Sequence, residues 1–223
     1  IGARLDGAAR AEVAVELQRV DDIERRLEQH IARGVDVIKI ATTLGDMGFE
    51  DAKPDLPEAW VREIVRVAHR HGLKVTAHSY GTAGDWAAVR GGVDGIEHLV
   101  NVPHELPDDL VQAIKARGLY VCPTLSGSAY SVWTFLQAPE RLYADPDLVA
   151  NVPAGVRKDL FFTIRVLTLP GVARLLLRQP DPMQQWERWY EYSLRNTERL
   201  YQAGVPIIFG TDTPFALGGL SRY

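Results

Sequence analysis

The sequence predicts an α/β fold in which helices pack on a parallel β-sheet. Five times an amphipathic segment ends in glycine and an apolar strand follows at once: RGVDVIKI, HGLKVTAH, GGVDGIEHL, RGLYVCPTL and AGVPIIFGTD. The first of these strands is rich in Val and Ile without polar alternation, the pattern of a strand covered on both faces. Repeated helix-then-strand units require right-handed crossovers between parallel strands.

The ends of the predicted helices carry recognisable residues. A left-handed residue is expected after the last turn of each helix, and a glycine stands there in every unit: Gly34, Gly72, Gly92, Gly118 and Gly204. Asp21 and Glu24 have the spacing of a capping box and predict a helix start just before Ile23. Pro57 suits the first turn of the next helix.

Length, charge and cysteine content narrow the class of protein. The chain has 223 residues, 46% of them hydrophobic, and 25 basic against 29 acidic residues, which suits one globular domain and shows no nucleic-acid footprint. Its richest apolar stretch, DLFFTIRVLTLPGVARLLLRQP, is interrupted by arginines and a proline, so a buried or interfacial helical pair is favoured over a membrane span. Cys122 is the single cysteine, which excludes an internal disulfide and permits a reducing compartment. The N-terminal signal region is not visible, so the location is left open, with the cytoplasm slightly favoured. The expected partner is a small molecule, and a homo-oligomer stays open.

The helix-then-strand repeat breaks between Thr124 and Gly204. Residues 126–203 are predicted to be a mostly helical insertion, because apolar residues recur there at intervals of three and four. The spacing involves Leu160, Ile164, Leu167, Leu175, Trp186, Trp189, Tyr190 and Leu194. With the loop after Lys39, this insertion is expected to form a substrate pocket and its lid. Its aromatic residues fit a pocket lining, but packing within the insertion itself is the favoured interpretation.

Reactive side chains stand at the ends of the predicted strands, where parallel α/β folds build their sites. These residues are Lys39, His78, His98, Thr124 and Asp212. Taken singly, a strand histidine is more often a hydrogen-bonded core residue, and an Asp after Gly-Thr is commonly a helix cap. Four ligand or acid–base types on one series of strands make coincidence an unlikely account.

The other histidines and Lys39 need separate interpretations. His30, His69, His71 and His104 are the remaining histidines, and they fall in predicted helices or a loop, where solvated surface is favoured. Lys39 lies in the middle of an apolar strand. An unpaired buried ammonium costs several kcal/mol, so Lys39 is expected to be paired, deprotonated or chemically altered.

The order Lys, His, His, Asp at these strand ends resembles that of the amidohydrolase superfamily, in which such residues close strands four, five, six and eight of a TIM (β/α)8 barrel. The segments IKI, TAHSYG, IEHLV, PTL and FGTD look like its imidazolonepropionase-like branch, which includes Xaa-Pro dipeptidases. The resemblance covers roughly residues 30–125 and 200–216. It implies that residues 1–223 are a partial barrel domain containing about strands four to eight, with the insertion between strands seven and eight.

The resemblance also implies a chemistry. Lys39 would be carboxylated by carbon dioxide and bridge two divalent metal ions, with zinc favoured. His78 and His98 would ligate the second metal, while Asp212 would touch the first and accept the proton of a bridging water. The implied activity is hydrolysis of an amide C–N bond by a metal-activated bridging hydroxide. Desolvation by the apolar neighbours of Lys39 agrees with this, because it favours the neutral amine that reacts with carbon dioxide. Tyr80 is a candidate substrate contact through its phenol, or equally a rim aromatic with no role.

The sequence also departs from the family pattern. The His-x-His pair that ends the first barrel strand is missing, since His69 and His71 have that spacing but lie at the end of a predicted helix. Barrel strands one to three and the flanking β-sandwich are also missing, so the rest of a longer chain or a partner must supply them.

Several other functions stay open at this point. A mononuclear deaminase would use His78, His98 and Asp212 without Lys39, whereas a Schiff-base aldolase would use Lys39 as nucleophile. A barrel module that has lost metal binding would use none of them. The substrate is equally open among dipeptides, lactams, acyl-homoserine-like esters and N-acyl amino acids.

Overall fold

The computed structural model describes residues 19–43, 54–125, 137–138, 140–167, 182–210 and 212. Its centre is a parallel sheet of four strands that lie side by side in chain order. The strands are β1 (Val37–Ala41), β2 (Lys74–His78), β3 (Gly95–Glu97) and β4 (Tyr120–Cys122). The helix-then-strand units therefore form the α/β fold with a parallel sheet that the sequence predicts.

Helices connect these strands and continue after β4. The first four are α1 (Ile23–Ile31), α2 (Glu58–Arg70), α3 (Thr82–Gly91) and α4 (Asp108–Arg117). Among the described residues, four more follow: α5 (Arg141–Ala144), α6 (Pro146–Asn151), α7 (Ala154–Leu167) and α8 (Pro182–Gln202). They occupy the described parts of the segment predicted to be helical, whereas Leu175 lies outside the described residues. No described helix has the length and apolar character needed to cross a membrane.

The residues at the helix ends test the expected caps. All five glycines that follow a helix have left-handed φ values, from 66° at Gly118 to 88° at Gly92, which confirms the prediction. The capping box is wrong: Asp21 lies in a 3-10 turn and its carboxylate pairs with Arg19, 3.3 Å away. Asp22 is the residue before α1 and makes no side-chain cap bond. Pro57 stands one residue before α2, at its N-cap position.

One face of the sheet packs against the helices and forms the core. Its strand residues are at most 1% exposed: Ile38, Ile40, Val75, Ala77, Ile96 and Val121. Helix α2 meets this face with Val61, Ile64 and Val67, which are fully buried. Burying one such side chain is worth about 1.5–3 kcal/mol, so this layer holds the strand ends in place.

The other face of β1 is not covered as expected. Val37 is 45% exposed and Lys39 is also exposed, so the prediction of a strand buried on both faces is wrong for this chain. Strand residues alternate between faces, and Val37 and Lys39 lie opposite the helix layer. Strand β1 is also the edge of the sheet, with a described neighbour only on the β2 side.

The fifth predicted strand is reduced to one bridge. Ile207 pairs in parallel with Val121, whose N–H donates to Pro206 O at 2.9 Å while Ile208 N–H donates to Val121 O at 3.0 Å. Pro206 has no N–H to extend the ladder, and Phe209 is 93% exposed. The described chain is thus an open parallel sheet whose fifth segment lies beside β4.

Candidate functional site

The two strand-end histidines lie side by side. His78 ends β2 and His98 follows β3, and the register pairs His78 with Glu97 on the neighbouring strand. Their ring centroids are 4.6 Å apart with an interplanar angle of 65°. His98 is 1% exposed, and its backbone N–H donates to Cys122 O at 3.0 Å. The parallel sheet therefore brings the two imidazoles together at its C-terminal edge.

Both imidazoles are neutral at pH 7. Burial lowers the pKa of His78 to about 4, with a further contribution from the charge of Lys39. Burial lowers the pKa of His98 to about 2, and His78 and Lys39 add to the effect. A neutral imidazole keeps one nitrogen lone pair, which is the form that binds metal ions.

Lys39 and Asp212 belong to the same electrostatic neighbourhood. The charge of Lys39 acts on His78, His98 and Asp212 alike. Burial raises the pKa of Asp212 above its usual value, Lys39 opposes that rise, and the carboxylate of Glu97 adds to it. Lys39 thus acts electrostatically on the other three predicted site residues, although it is itself exposed and the desolvation expected from its apolar neighbours is absent in this chain.

The two histidines and the carboxylate of Asp212 are chemically suited to bind a divalent metal, but the described residues do not bring enough ligands together to hold one. Neutral histidines beside a carboxylate are typical zinc ligands. Within residues 19–43, 54–125, 137–138, 140–167, 182–210 and 212, however, no group of three or more His, Cys, Asp and Glu is close enough to hold an ion. The described residues contribute a histidine pair, and a complete coordination shell needs further ligands.

Tyr80 covers the histidine pair. Its ring stacks on His98 with centroids 5.2 Å apart and an angle of 18°, and meets the edge of His78 at 4.8 Å and 83°. Its backbone N–H donates to Thr43 Oγ1 at 2.7 Å. Tyr80 is therefore part of the packing around both imidazoles, a position that the two sequence interpretations did not anticipate.

The backbone at the strand ends is strained. His98, Thr124 and Asp212 have φ values of 70°, 47° and 55°, in the left-handed region that non-glycine residues rarely adopt. Such conformations cost about 1–3 kcal/mol each and persist where the surroundings enforce them, often at functional sites. All three are residues that the sequence placed at the ends of strands.

Sequence reasoning missed the buried support beneath the histidine loop. Ser79 and Asp85 are 0% and 1% exposed, and the Ser79 hydroxyl donates to Asp85 Oδ1 at 2.6 Å. Asp85 Oδ2 has no hydrogen-bond partner among the described residues, and burial raises the pKa of this carboxyl to about 8. The available signal was a lone acidic residue in the small, apolar helix TAGDWAAV.

Glu97 is a second residue whose role was underrated. Its Oε1 accepts a hydrogen bond from Thr76 Oγ1 at 2.9 Å. The register places Glu97 beside His78, and its charge reaches Asp212. An acidic residue inside a short apolar strand was the signal for it.

Several known proteins are similar to this chain in sequence or in structure. The ochratoxinase of Aspergillus niger is 30% identical over 110 residues, which are 48% of this chain and 22% of that protein. Its crystal structure aligns with a TM-score of 0.58 at 20% identity, over 88% of this chain and 35% of that one. A prolidase complexed with N-methylphosphonate-L-proline aligns with a TM-score of 0.60 at 20% identity, over 95% and 43% of the two chains. An amidohydrolase aligns with a TM-score of 0.55 at 25% identity, over 90% and 39%.

These relatives are considerably longer than this chain. It spans 22% of the ochratoxinase sequence and 35–43% of the three solved structures. The profile of the amidohydrolase family matches residues 8–220, which is nearly the whole chain. The chain therefore belongs to the amidohydrolase family.

Proposed function

We propose that the full-length protein is a metal-dependent hydrolase that cleaves an amide C–N bond, as in a dipeptide, an N-acyl amino acid or a cyclic amide. The observation that carries this is the pairing of His78 and His98, whose rings lie 4.6 Å apart beside the charge of Lys39. Two neutral imidazoles near a lysine and a carboxylate are a donor set for divalent ions. Membership of the amidohydrolase family supports hydrolysis as the reaction class.

The side chains have distinct roles in this proposal. His78 and His98 would hold one metal ion through neutral nitrogens, and Asp212 would hold the other. Lys39, carboxylated by carbon dioxide with release of a proton, would hold both ions through the two oxygens of its carbamate. When bound, the divalent ions would lower the pKa of a bound water and polarise a carbonyl. Asp212 would also be the general base that accepts the proton of the bridging water.

The remaining parts of the site are supplied by other residues. Tyr80 lies over both imidazoles and contacts the substrate in this proposal. Strands that complete the barrel, and further ligands for the first metal, come from the rest of a longer chain or from a partner. Dipeptides are the first substrates to test, because the neighbours include a Xaa-Pro dipeptidase and a prolidase.

The test is an assay of the full-length protein against Xaa-Pro dipeptides and N-acyl amino acids, before and after chelation. We expect hydrolysis of at least one substrate, a loss of at least tenfold after metals are removed, and recovery when zinc is added. A His78→Ala variant should lose turnover, whereas His104→Ala, outside the histidine pair, should retain it. Hydrolysis that survives complete metal removal would overturn the proposal.

The alternatives give different results in the same experiment. A mononuclear deaminase would release ammonia from a substrate and bind one ion per chain. A Schiff-base aldolase would be trapped covalently at Lys39 by borohydride in the presence of a carbonyl substrate. A module without catalysis would bind no metal and turn over no substrate in the panel.

A further inference from the structure

His98 has one ring nitrogen that is held by a buried partner. Its Nδ1 lies 2.7 Å from Thr124 Oγ1, and the two residues are 1% and 3% exposed. Both have left-handed backbones, with φ values of 70° and 47°, a conformation that is costly for residues other than glycine and that the surrounding structure must enforce. A hydrogen bond to Nδ1 leaves Nε2 as the nitrogen that can bind a ligand.

We infer that Thr124 is a positioning residue: its hydroxyl oxygen accepts a hydrogen bond from the Nδ1–H of His98, which fixes the ring and leaves Nε2 without a proton and able to bind a metal ion. This rests on the proposed function, in which His98 is a metal ligand. A threonine oxygen has two lone pairs, so it can accept from His98 and from one other donor at the same time.

Asn101 supplies that other donor. Its Nδ2 donates to Pro123 O at 2.9 Å and to Thr124 Oγ1 at 3.3 Å. A carbonyl oxygen can only accept, so the bond to Pro123 fixes which end of the amide faces Thr124. With one lone pair taken by Asn101, the Thr124 oxygen has one left for an N–H of His98.

The chain of contacts ends on helix α8. Asn101 Oδ1 lies 3.1 Å from the hydroxyl of Ser193, which is also 2.6 Å from Trp189 O. The hydroxyl has one proton to share between these acceptors, so the link from α8 to Asn101 is weaker than the bond from Asn101 to Pro123. Ser193 is fully buried, and Asn101 is 2% exposed. The support for His98 thus reaches a helix almost a hundred positions away.

The test compares Thr124→Val, which replaces the hydroxyl with a methyl group of similar size, with Thr124→Ser, which retains the hydroxyl, in the full-length protein. Zinc affinity should fall 10–100-fold in Thr124→Val, the usual effect of losing such a partner, and stay within about threefold in Thr124→Ser. Thr197→Val is the matched control, because the Thr197 hydroxyl donates to Ser193 O at 2.7 Å and, among the described residues, makes no hydrogen bond to His98. That variant should bind zinc like the wild type, and thermal unfolding will show that all three variants fold.

A second measurement is independent of metal binding. Nitrogen-15 NMR of the metal-free protein should show the His98 proton on Nδ1 in the wild type and in Thr124→Ser. In Thr124→Val it should move toward Nε2. A wild type with the proton on Nε2, or a folded Thr124→Val that keeps the wild-type tautomer and affinity, overturns the inference. A wild type that binds no zinc refutes the proposed function instead, and the tautomer still decides the role of Thr124.

Discussion

Asp85 shows at the scale of one residue how the interior supports the site. It lies in the first turns of α3 and is 1% exposed. Its carboxyl accepts a hydrogen bond from the hydroxyl of Ser79, the residue between His78 and Tyr80. The loop is bound from the other side as well, since Thr42 Oγ1 donates to His78 O at 3.1 Å. A buried carboxyl with one satisfied oxygen favours its protonated form.

The stability contributed by Asp85 should therefore depend on pH. Its pKa is raised from 3.8 to about 8 in the folded protein, so protonation favours folding. This contribution is full below about pH 3.8, declines by ~1.4 kcal/mol per pH unit as the unfolded chain ionises, and is lost above about pH 8. Asp85→Asn cannot ionise and keeps an acceptor for Ser79. Its free energy of unfolding in urea, relative to the wild type, should rise from pH 4 to pH 8.

An exposed carboxyl provides the control for that prediction. Asp36→Asn removes the same chemical group at an exposed position and is the reference variant, measured over the same pH range. If Asp85→Asn gave the same profile as this reference, the Asp85 carboxyl would not be protonated in the folded protein.

At the scale of elements, the site depends on how closely α3 approaches the loops after β1 and β2. A Cβ added to Gly84 would lie 2.4 Å from Thr43 Cγ2 and 2.9 Å from Ser79 Oγ. Both neighbours are buried, at 3% and 0% exposure. Thr43 also accepts the backbone N–H of Tyr80, so a shift of this helix is transmitted to the aromatic ring over the histidines.

Gly84→Ala should consequently destabilise the protein. Overpacking of a filled interior typically costs about 1–3 kcal/mol, which a thermal or urea melt can measure. Gly155→Ala is a matched control in α7, where nothing lies within 4 Å of an added Cβ, and helix propensity predicts a gain of up to about 1 kcal/mol. Equal responses of the two variants would contradict the close packing of α3.

At the scale of the whole molecule, local rules predicted the order of elements and the strand ends that carry chemistry. The glycine after each helix was predictable because the backbone there must adopt a left-handed conformation. The proximity of His78 and His98 was predictable because the C-terminal ends of parallel strands share one edge of the sheet. Two features could not be predicted from local sequence rules, because they depend on distant segments of the chain. Lys39 is exposed because no described residue covers the face of β1 opposite the helix layer, and Ser193 meets Asn101 across 92 positions of sequence.

In the proposed function, carboxylated Lys39 would bridge a pair of metal ions, and counting metals tests this role most directly. Zinc should be measured in the full-length wild type and in the Lys39→Ala and Lys39→Arg variants, with turnover measured in parallel. We expect two ions per chain in the wild type and loss of the pair in both variants. Alanine has no amine to carboxylate, and a guanidinium cannot shed a proton to react with carbon dioxide. A Lys39→Arg protein that retained two ions and near-normal turnover would contradict the bridging role.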